Sequence, residues 1–256
     1  MAMSADAGIG ERLADLSARL RTLVQAQAKD KDLADARVRL ARPLEAPPAA
    51  VRIDALLGLE KVYVGGPQPR APYAPSLGAF QDQISACLRC SLGGKRKTLI
   101  FGEGDPKASL VFVGTAPGGD EEAAGKPLVG AAGQLLDRMI AAMGFQRSDV
   151  YVCNVLKCRT HGAKLPDPAE VAACRPYLEH QLGLLSPKAV IALGETAAGL
   201  LLGSGQPLAA LRGRWGTFQG LKVMPTYHPH DLLRDAGLKR HVWDDLKLVL
   251  KLIQSN

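Results

Sequence analysis

Four short apolar runs, separated by segments of helical periodicity, constrain this chain more than any other feature of its sequence. Each run has the length of a strand buried on both faces, and strands that alternate with helices form a parallel sheet covered on both sides. We therefore expect an α/β fold, a three-layer α/β/α arrangement around a central, mainly parallel four-stranded sheet. The predicted strands are 110–114, 150–154, 189–194 and 222–227, and the predicted helices are 131–143, 168–185, 196–202 and 239–253.

The first third of the chain has a different pattern. Apolar residues from Ile9 to Leu23 recur at alternating steps of four and three, which predicts an amphipathic helix. Because the pattern fades after Leu23, we favour a helix on its own domain or in solvent over a partner-binding helix or coiled coil. Seven prolines between 43 and 75 indicate a linker. The expected organisation is an N-terminal helical extension at 1–42, a linker at 43–76 and the main domain at 77–256.

Targeting and charge narrow the class of protein. The chain has no run of 18 or more uninterrupted apolar residues, and its first ten residues lack the basic-then-apolar order of a signal peptide. We therefore expect a cytoplasmic protein without a membrane segment. A net charge of +7 suits a polyanionic partner, because Lys and Arg displace counterions from phosphates, although charge alone is a weak indication.

The five cysteines argue for metal or redox use, since a chain without an export signal rarely builds a disulfide framework. Cys87 and Cys90 are separated by two residues, and Cys158 and Cys174 complete a set of four. Four thiolates suit either a tetrahedral zinc ion or a [4Fe-4S] cluster, and their spacing alone does not separate the two. Cys153 lies inside a predicted strand, so we assign it to the core.

Polar residues follow three of the predicted strands. Residues 115–122 come after the first strand, Asn154 ends the second, and His228 lies just past the fourth. In parallel sheets, ligands bind beyond the C-terminal ends of the strands. The sequence therefore predicts a ligand site at this edge.

Four segments together resemble the iron-sulfur class of uracil-DNA glycosylases, family 4, and the resemblance extends from about residue 81 to the C terminus. It implies a monofunctional, monomeric hydrolase that cleaves the N-glycosidic bond of uracil flipped out of single- or double-stranded DNA. It also implies a [4Fe-4S] cluster on Cys87, Cys90, Cys158 and Cys174, with a structural role because hydrolysis moves no electrons. The four segments are Cys87–Cys90, Gly114–Leu136, Asn154–Cys158 and Thr226–Pro229.

The same resemblance implies roles for individual residues. Asn154 would read the flipped base, since an amide offers a donor and an acceptor to uracil O4 and N3–H. His228 would donate a hydrogen bond to uracil O2 as negative charge develops there. Taken alone, such an Asn is more often a turn or helix cap, and such a His a packed surface residue. Glycine-rich backbone would line the base pocket or approach DNA phosphate, at Gly114, Ala116, Pro117 and Gly118 and at Gly130 and Gly133 respectively.

A wedge must fill the gap that a flipped base leaves in the stack. Leu232 and Leu233, followed by Arg234, are candidates for side chains that enter the duplex through the minor groove. The alternative, that both leucines belong to the core side of a helix, stays open at this point.

Two positions depart from the family pattern. Thr115 stands where the family usually has a carboxylate that activates water, and a threonine cannot accept the proton at neutral pH. Because a general base usually contributes about 10² to 10⁴-fold, we expect a slow enzyme unless Asp120, Glu121 or Glu122 substitutes. Glu121 itself matches a family position near the C5 edge of uracil.

The second departure is Leu128, where the family usually has an aromatic residue that stacks on uracil. Such a stack contributes about 1 to 3 kcal/mol, so weaker uracil binding or broader base choice is expected. The two departures favour an alternative function, a non-catalytic or very slow module that binds uracil or lesion DNA. A further hypothesis makes the N-terminal helix an adaptor for a replication or repair protein.

Overall fold

The computed structural model describes residues 73–160 and 165–255. These residues form one mixed six-stranded sheet with helices on both faces. All four strands expected from the sequence are present, and none of their ends differs by more than one residue. The strands are β1 (Glu103–Gly104), β2 (Leu110–Gly114), β3 (Tyr151–Asn154), β4 (Ala189–Leu193), β5 (Gly216–Phe218) and β6 (Leu221–Thr226).

The expected count of four strands was wrong, because the sheet gains a short strand at each edge. The spatial order is β1-β3-β2-β4-β6-β5. The four inner strands are parallel, whereas β1 and β5 pair antiparallel with their neighbours. Two or three residues are too few to show the alternation by which a strand is recognised in a sequence.

The four expected helices are also present, each within one residue of its predicted bounds, and four shorter helices accompany them. The longest expected helix begins at a strong signal, since the Asp167 carboxylate accepts from the Ala169 N–H and Pro168 occupies the first helical position. The helices are α1 (Leu77–Ile84), α2 (Gly119–Ala124), α3 (Gly130–Ala142), α4 (Pro168–Leu185), α5 (Glu195–Leu202), α6 (Leu208–Leu211), α7 (Pro229–Arg234) and α8 (Leu238–Gln254).

Two apolar cores lie on opposite faces of the sheet. Leu110 and Phe112 of β2 point to the face covered by α3 and α8, while Val111 and Val113 point to the face covered by α4 and α5. The three-layer α/β/α arrangement predicted from the sequence is therefore confirmed. Cys153 is buried in the second of these cores, as expected.

A third apolar cluster joins α1 to the loop after β3 and to α4. Phe80 and Ile84 of α1 pack there with Phe101, Leu156 and Tyr177. This cluster surrounds four cysteines and is called the cysteine region below.

The helical extension predicted at 1–42 and most of the linker predicted at 43–76 lie outside the described residues, so that domain organisation stays a prediction. In the part of the chain that is described, no helix is long and apolar enough to cross a membrane.

Candidate functional site

The C-terminal ends of the inner strands bring the predicted site residues to one edge of the sheet. Gly114 of β2 is in register with Asn154 of β3, and Leu193 of β4 is in register with Thr226 of β6. The segments that follow these strands therefore start side by side.

A cleft of about 580 Å³ opens at this edge. It brings together Thr115 and His228. The predicted site residues Gly114, Asp120, Glu121, Leu128 and Asn154 are not among the described residues that line it. The lining also contains three charged residues that the sequence did not single out, Arg159, Glu195 and Asp231. The remaining lining residues are Ala116, Pro117, Gly118, Gly119, Thr160, Leu165, Pro166, Leu193, Gly194 and Thr196.

His228 caps the N terminus of α7 and is held in one tautomer. Its Nδ1 accepts from the His230 backbone N–H at 3.1 Å, and its own backbone N–H donates to Asp231 Oδ2 at 3.1 Å. Burial lowers the pKa of His228 to about 4, although the Asp231 carboxylate opposes this. The imidazole is therefore neutral near pH 7, and because Nδ1 is an acceptor, Nε2 carries the proton and is the donor.

Asn154 is buried, and its Nδ2 has no hydrogen-bond partner, alone among the buried side-chain nitrogens and oxygens that are described. A buried donor without a partner costs about 1 to 3 kcal/mol, which a ligand acceptor would recover. A Cβ at Gly114 would overlap Asn154 Oδ1, so this position requires glycine. The amide is thus held against the β2 backbone with one donor free.

The three acidic residues after the glycine-rich loop differ in their contacts. The Glu121 carboxylate accepts from the backbone N–H of Gly118 and, at 2.7 Å, from that of Leu128, so it closes the loop. Glu122 is buried, accepts from the Lys97 N–H at 2.9 Å and pairs with Arg159 at 3.5 Å.

Asp120 is exposed and makes no hydrogen bond or ion pair with any described residue. Of the three carboxylates, only that of Asp120 is free to bind water. The predicted contact of Glu121 with the base would compete with its two loop bonds, and it stays a prediction.

Leu128 and the glycines after it form a strained turn. Leu128 has φ 49° and is buried in the core with α3, so its side chain serves that core. Gly130 has φ 67° and is exposed, and its predicted approach to phosphate stays a prediction. For Gly133 the phosphate contact is wrong, because this residue is buried and its N–H donates to the Val129 carbonyl at 3.2 Å. A Cβ at Gly133 would overlap the Leu128 carbonyl, which explains the glycine.

Leu232 and Leu233 lie on opposite sides of α7. Leu232 is 3% exposed and packs in the core, whereas Leu233 is 46% exposed. The prediction of a Leu232 wedge is therefore wrong, since the helix turns this side chain inward. Leu233 and the exposed Arg234 remain candidates for DNA contact.

The cysteine region brings together the four cysteines of the predicted ligand set. Cys158 and Cys174 are buried, and Cys87 and Cys90 are half-buried against the same apolar cluster. Donors approach three of the sulfurs. Lys157 N–H donates to Cys174 Sγ at 3.4 Å, the Tyr177 hydroxyl to Cys87 Sγ at 3.3 Å, and Arg96 to Cys158 Sγ at 4.0 Å.

Burial raises the pKa of Cys158 to about 11 and that of Cys174 to about 12, so a bound metal would have to displace their protons. Within residues 73–160 and 165–255, no three His, Cys, Asp or Glu side chains are grouped to hold a single metal ion. A cubane binds each thiolate at a different iron and holds the sulfurs farther apart than a tetrahedral ion does. Four cysteines in one apolar shell, three of which accept hydrogen bonds at sulfur, fit such a cluster.

The residues missed by sequence reasoning had weak signals. Arg159 directly follows Cys158, and a cation beside a recognised motif could have been noted as a DNA contact. Asp231 has no such signal, because an acidic residue three positions after a helix cap is ordinary capping chemistry. Glu195 lies at the start of α5 and accepts from the Leu208 N–H at 3.2 Å.

Known proteins resemble about two thirds of this chain. A model of the uracil DNA glycosylase superfamily matches residues 101–247. The type-4 uracil-DNA glycosylase of Thermotoga maritima is 38% identical over 172 residues, which cover 65% of this chain and 88% of that protein. The type-4 enzyme of Pyrobaculum aerophilum is 38% identical over 180 residues, 67% of this chain and 92% of that protein. The type-4 enzyme of Archaeoglobus fulgidus is 37% identical over 184 residues, which cover 68% of this chain and 92% of that protein.

Proposed function

The chain belongs to the type-4 group of the uracil DNA glycosylase superfamily, and we propose that it is a DNA-repair hydrolase that cleaves the N-glycosidic bond of uracil. The observation that carries this proposal is His228, a neutral imidazole with Nε2 as its donor, in the wall of a cleft at the C-terminal edge of the sheet. Such a group can stabilise a departing anion without first gaining a proton.

The substrate is a uracil base rotated out of DNA, because a base inside the stack cannot reach the cleft. Rotation costs a few kcal/mol in a duplex and less in a single strand. A free Asn154 Nδ2 supports recognition of uracil, since this donor matches uracil O4 and would face the amino group of cytosine. The base edge must then reach the amide beside Gly114.

Bond cleavage leaves negative charge on the base and positive character on the sugar. The His228 Nε2–H would stabilise that negative charge at uracil O2, and removal of one such donor typically costs about 10² to 10³ in rate. The neutral imidazole can supply this donor because its Nε2 carries a proton.

Water must then attack the sugar, and Thr115 cannot take its proton. Asp120 is one candidate for the base, because its exposed carboxylate has no partner among the described residues, but it does not line the cleft. Asp231 is the other, because it lines the cleft beside His228, although one of its oxygens caps α7. Since a dissociative reaction demands little of the nucleophile, we expect replacement of the correct carboxylate to slow excision by less than replacement of His228.

Cys87, Cys90, Cys158 and Cys174 would hold a [4Fe-4S] cluster. When bound, this group would supply metal-thiolate crosslinks between the loop after α1, the loop after β3 and α4, with no part in the hydrolysis. Leu233, Arg234, Gly130 and the cleft cation Arg159 would contact the DNA strand. The monomeric state, the cytoplasmic location and a protein partner of the N-terminal helix stay predictions.

The test is excision of uracil from labelled single-stranded and duplex oligonucleotides by anaerobically purified protein. We expect abasic product, an approximately 10² to 10³-fold lower single-turnover rate for His228→Ala, and an unchanged rate for the exposed control His241→Ala. Asp120→Asn and Asp231→Asn, measured in parallel, identify the carboxylate that positions water. Selective retention of uracil DNA without any product would instead support the binding-module alternative.

A further inference from the structure

Lys157 is a charged residue in an unusual position, for which the reaction described above has no use. Its side chain is 1% exposed, among the largest fully buried side chains in the described chain. It forms no ion pair with a carboxylate of the described residues, and both acceptors of its ammonium are neutral. A buried ammonium without an anion is costly, so the contacts of this lysine must offset that cost.

The first contact is with the residue that reads the base. Strand β3 ends at Asn154, and Lys157 folds back three residues so that its Nζ donates to the Asn154 carbonyl at 2.8 Å. A charge-assisted bond of this kind restrains the peptide that carries the Asn154 side chain.

The second contact anchors the ammonium itself. Nζ donates to Gln181 Oε1 at 2.5 Å, and Gln181, which is fully buried on α4, donates from Nε2 to the Phe101 carbonyl at 3.0 Å and to the Tyr151 hydroxyl at 3.1 Å. The ammonium is therefore tied to α4 and to the first residue of β3.

The third contact reaches the cysteine region. The backbone N–H of Lys157 donates to Cys174 Sγ at 3.4 Å, and the next residue is Cys158. Thiolates at these positions would supply the negative charge that the buried ammonium otherwise lacks. One residue thus touches both the base-reading end of β3 and the proposed cluster ligands.

We propose that Lys157 is a positioning residue for base recognition, which holds Asn154 in the orientation that accepts uracil. This inference rests on the proposed function, since it assigns the base-reading role to Asn154. Lys157 does not touch the substrate, and it acts through the Asn154 backbone.

The experiment measures binding rather than turnover. The probes are single-stranded oligonucleotides with one 2′-fluoro-2′-deoxyuridine or one 2′-fluoro-2′-deoxycytidine, in which fluorine slows cleavage by destabilising positive charge on the sugar. The preference for uracil, the ratio of the two Kd values, is measured for wild type, Lys157→Met, Asn154→Ala and the double variant. Lys188→Met, an exposed lysine on the loop before β4, is the matched control and should leave the ratio unchanged.

We expect Lys157→Met to lower the uracil preference about tenfold in the wild-type background and less than about twofold in the Asn154→Ala background, because the two residues act as a unit. Losses that multiply in the double variant, or a preference unchanged in Lys157→Met, would overturn the proposal. A purely structural role would lower stability without this dependence on Asn154.

Iron content and visible absorbance show whether Lys157→Met keeps the cluster. If it does not, Gln181→Met takes its place, since it retains Lys157 and removes the anchor of the ammonium together with the Gln181 bonds to Phe101 and Tyr151. The same dependence on Asn154 is then expected, and an unchanged preference overturns the proposal. A wild-type protein that prefers uracil but releases no base would refute the hydrolase function alone, whereas a wild type without any preference would refute both.

Discussion

The candidate site and the cysteine region differ in whether their buried polar atoms have hydrogen-bond partners. In the cysteine region, donors from Lys157, Tyr177 and Arg96 meet three of the four sulfurs, and aromatic side chains surround the group. At the C-terminal edge of the sheet, Asn154 Nδ2 has no partner among the described residues, and burial keeps the His228 imidazole in the cleft wall neutral. The difference teaches that the first region is organised for stability, while the second keeps polar capacity for a ligand.

The largest effect should come from the cysteine region. We expect Cys174→Ala to remove the brown colour that an iron-sulfur cluster would give the protein and to destabilise the protein by at least about 4 kcal/mol, because a structural metal site contributes folding free energy directly. Cys153→Ala, in the separate core between the sheet and α4, should keep the colour and lower the free energy of unfolding by about 1 kcal/mol. Thermal unfolding with iron analysis checks both, and equal losses for the two variants would contradict a cluster at Cys174.

The second effect is a pH dependence of the cleft. The pKa of His228 is about 4 in the folded protein and about 6.5 when unfolded, so the folded state binds fewer protons between these values. The stabilising contribution is complete above pH 6.5 and is lost as the pH falls towards 4, by up to about 3 kcal/mol.

Urea unfolding of wild type and His228→Gln should therefore give a difference in unfolding free energy that changes between pH 7 and pH 4.5. The variant cannot titrate at this position, while other groups titrate in both proteins. Excision should persist at pH 5.5, where an imidazole of ordinary pKa would already be charged. A midpoint of activity near pH 6.5 would contradict the neutral, buried imidazole.

A third prediction concerns Leu128. Restoring the family's aromatic residue with Leu128→Phe should destabilise the protein by about 1 to 3 kcal/mol, since the side chain enters a filled core at positive φ. The variant should not gain uracil affinity. Urea unfolding and oligonucleotide binding measure the two quantities, and tighter uracil binding would show that residue 128 reaches the base.

The smallest effect is expected from Gly114→Ala, in which the new Cβ overlaps Asn154 Oδ1. Displacement of the amide should lower the preference for uracil about tenfold while iron content and colour stay unchanged. Gly183→Ala on α4 is the comparison, because a Cβ there meets nothing within 4 Å, and it should leave the preference unchanged. Loss of colour in Gly114→Ala would show that the two regions are not separable.

The inner strands and the main helices were predictable because their signal is local. A buried strand such as Leu110–Gly114 is apolar along its whole length. A helix such as Pro168–Leu185 begins at a recognisable signal, an Asp cap followed by Pro. The edge strands β1 and β5 were not predicted, because pairing with a neighbouring strand, rather than composition, makes them strands. Asn154 and His228 were singled out because the first ends a strand, the second follows one, and both match a family motif.

What the sequence determined by itself is thus the layer architecture. It also predicted the cysteine set, whose members the fold brings into one region, and the edge of the sheet that carries the candidate site. The tertiary structure alone decided which side chains are free to act. It turned Leu232 inward and Leu233 outward. It engaged Glu121 in hydrogen bonds of the loop and left Asp120 without a described partner. It also buried Lys157 between Asn154 and Cys174. The physical reason is that periodicity and capping depend on neighbours in the chain, whereas burial and hydrogen-bond partners depend on residues brought together by folding.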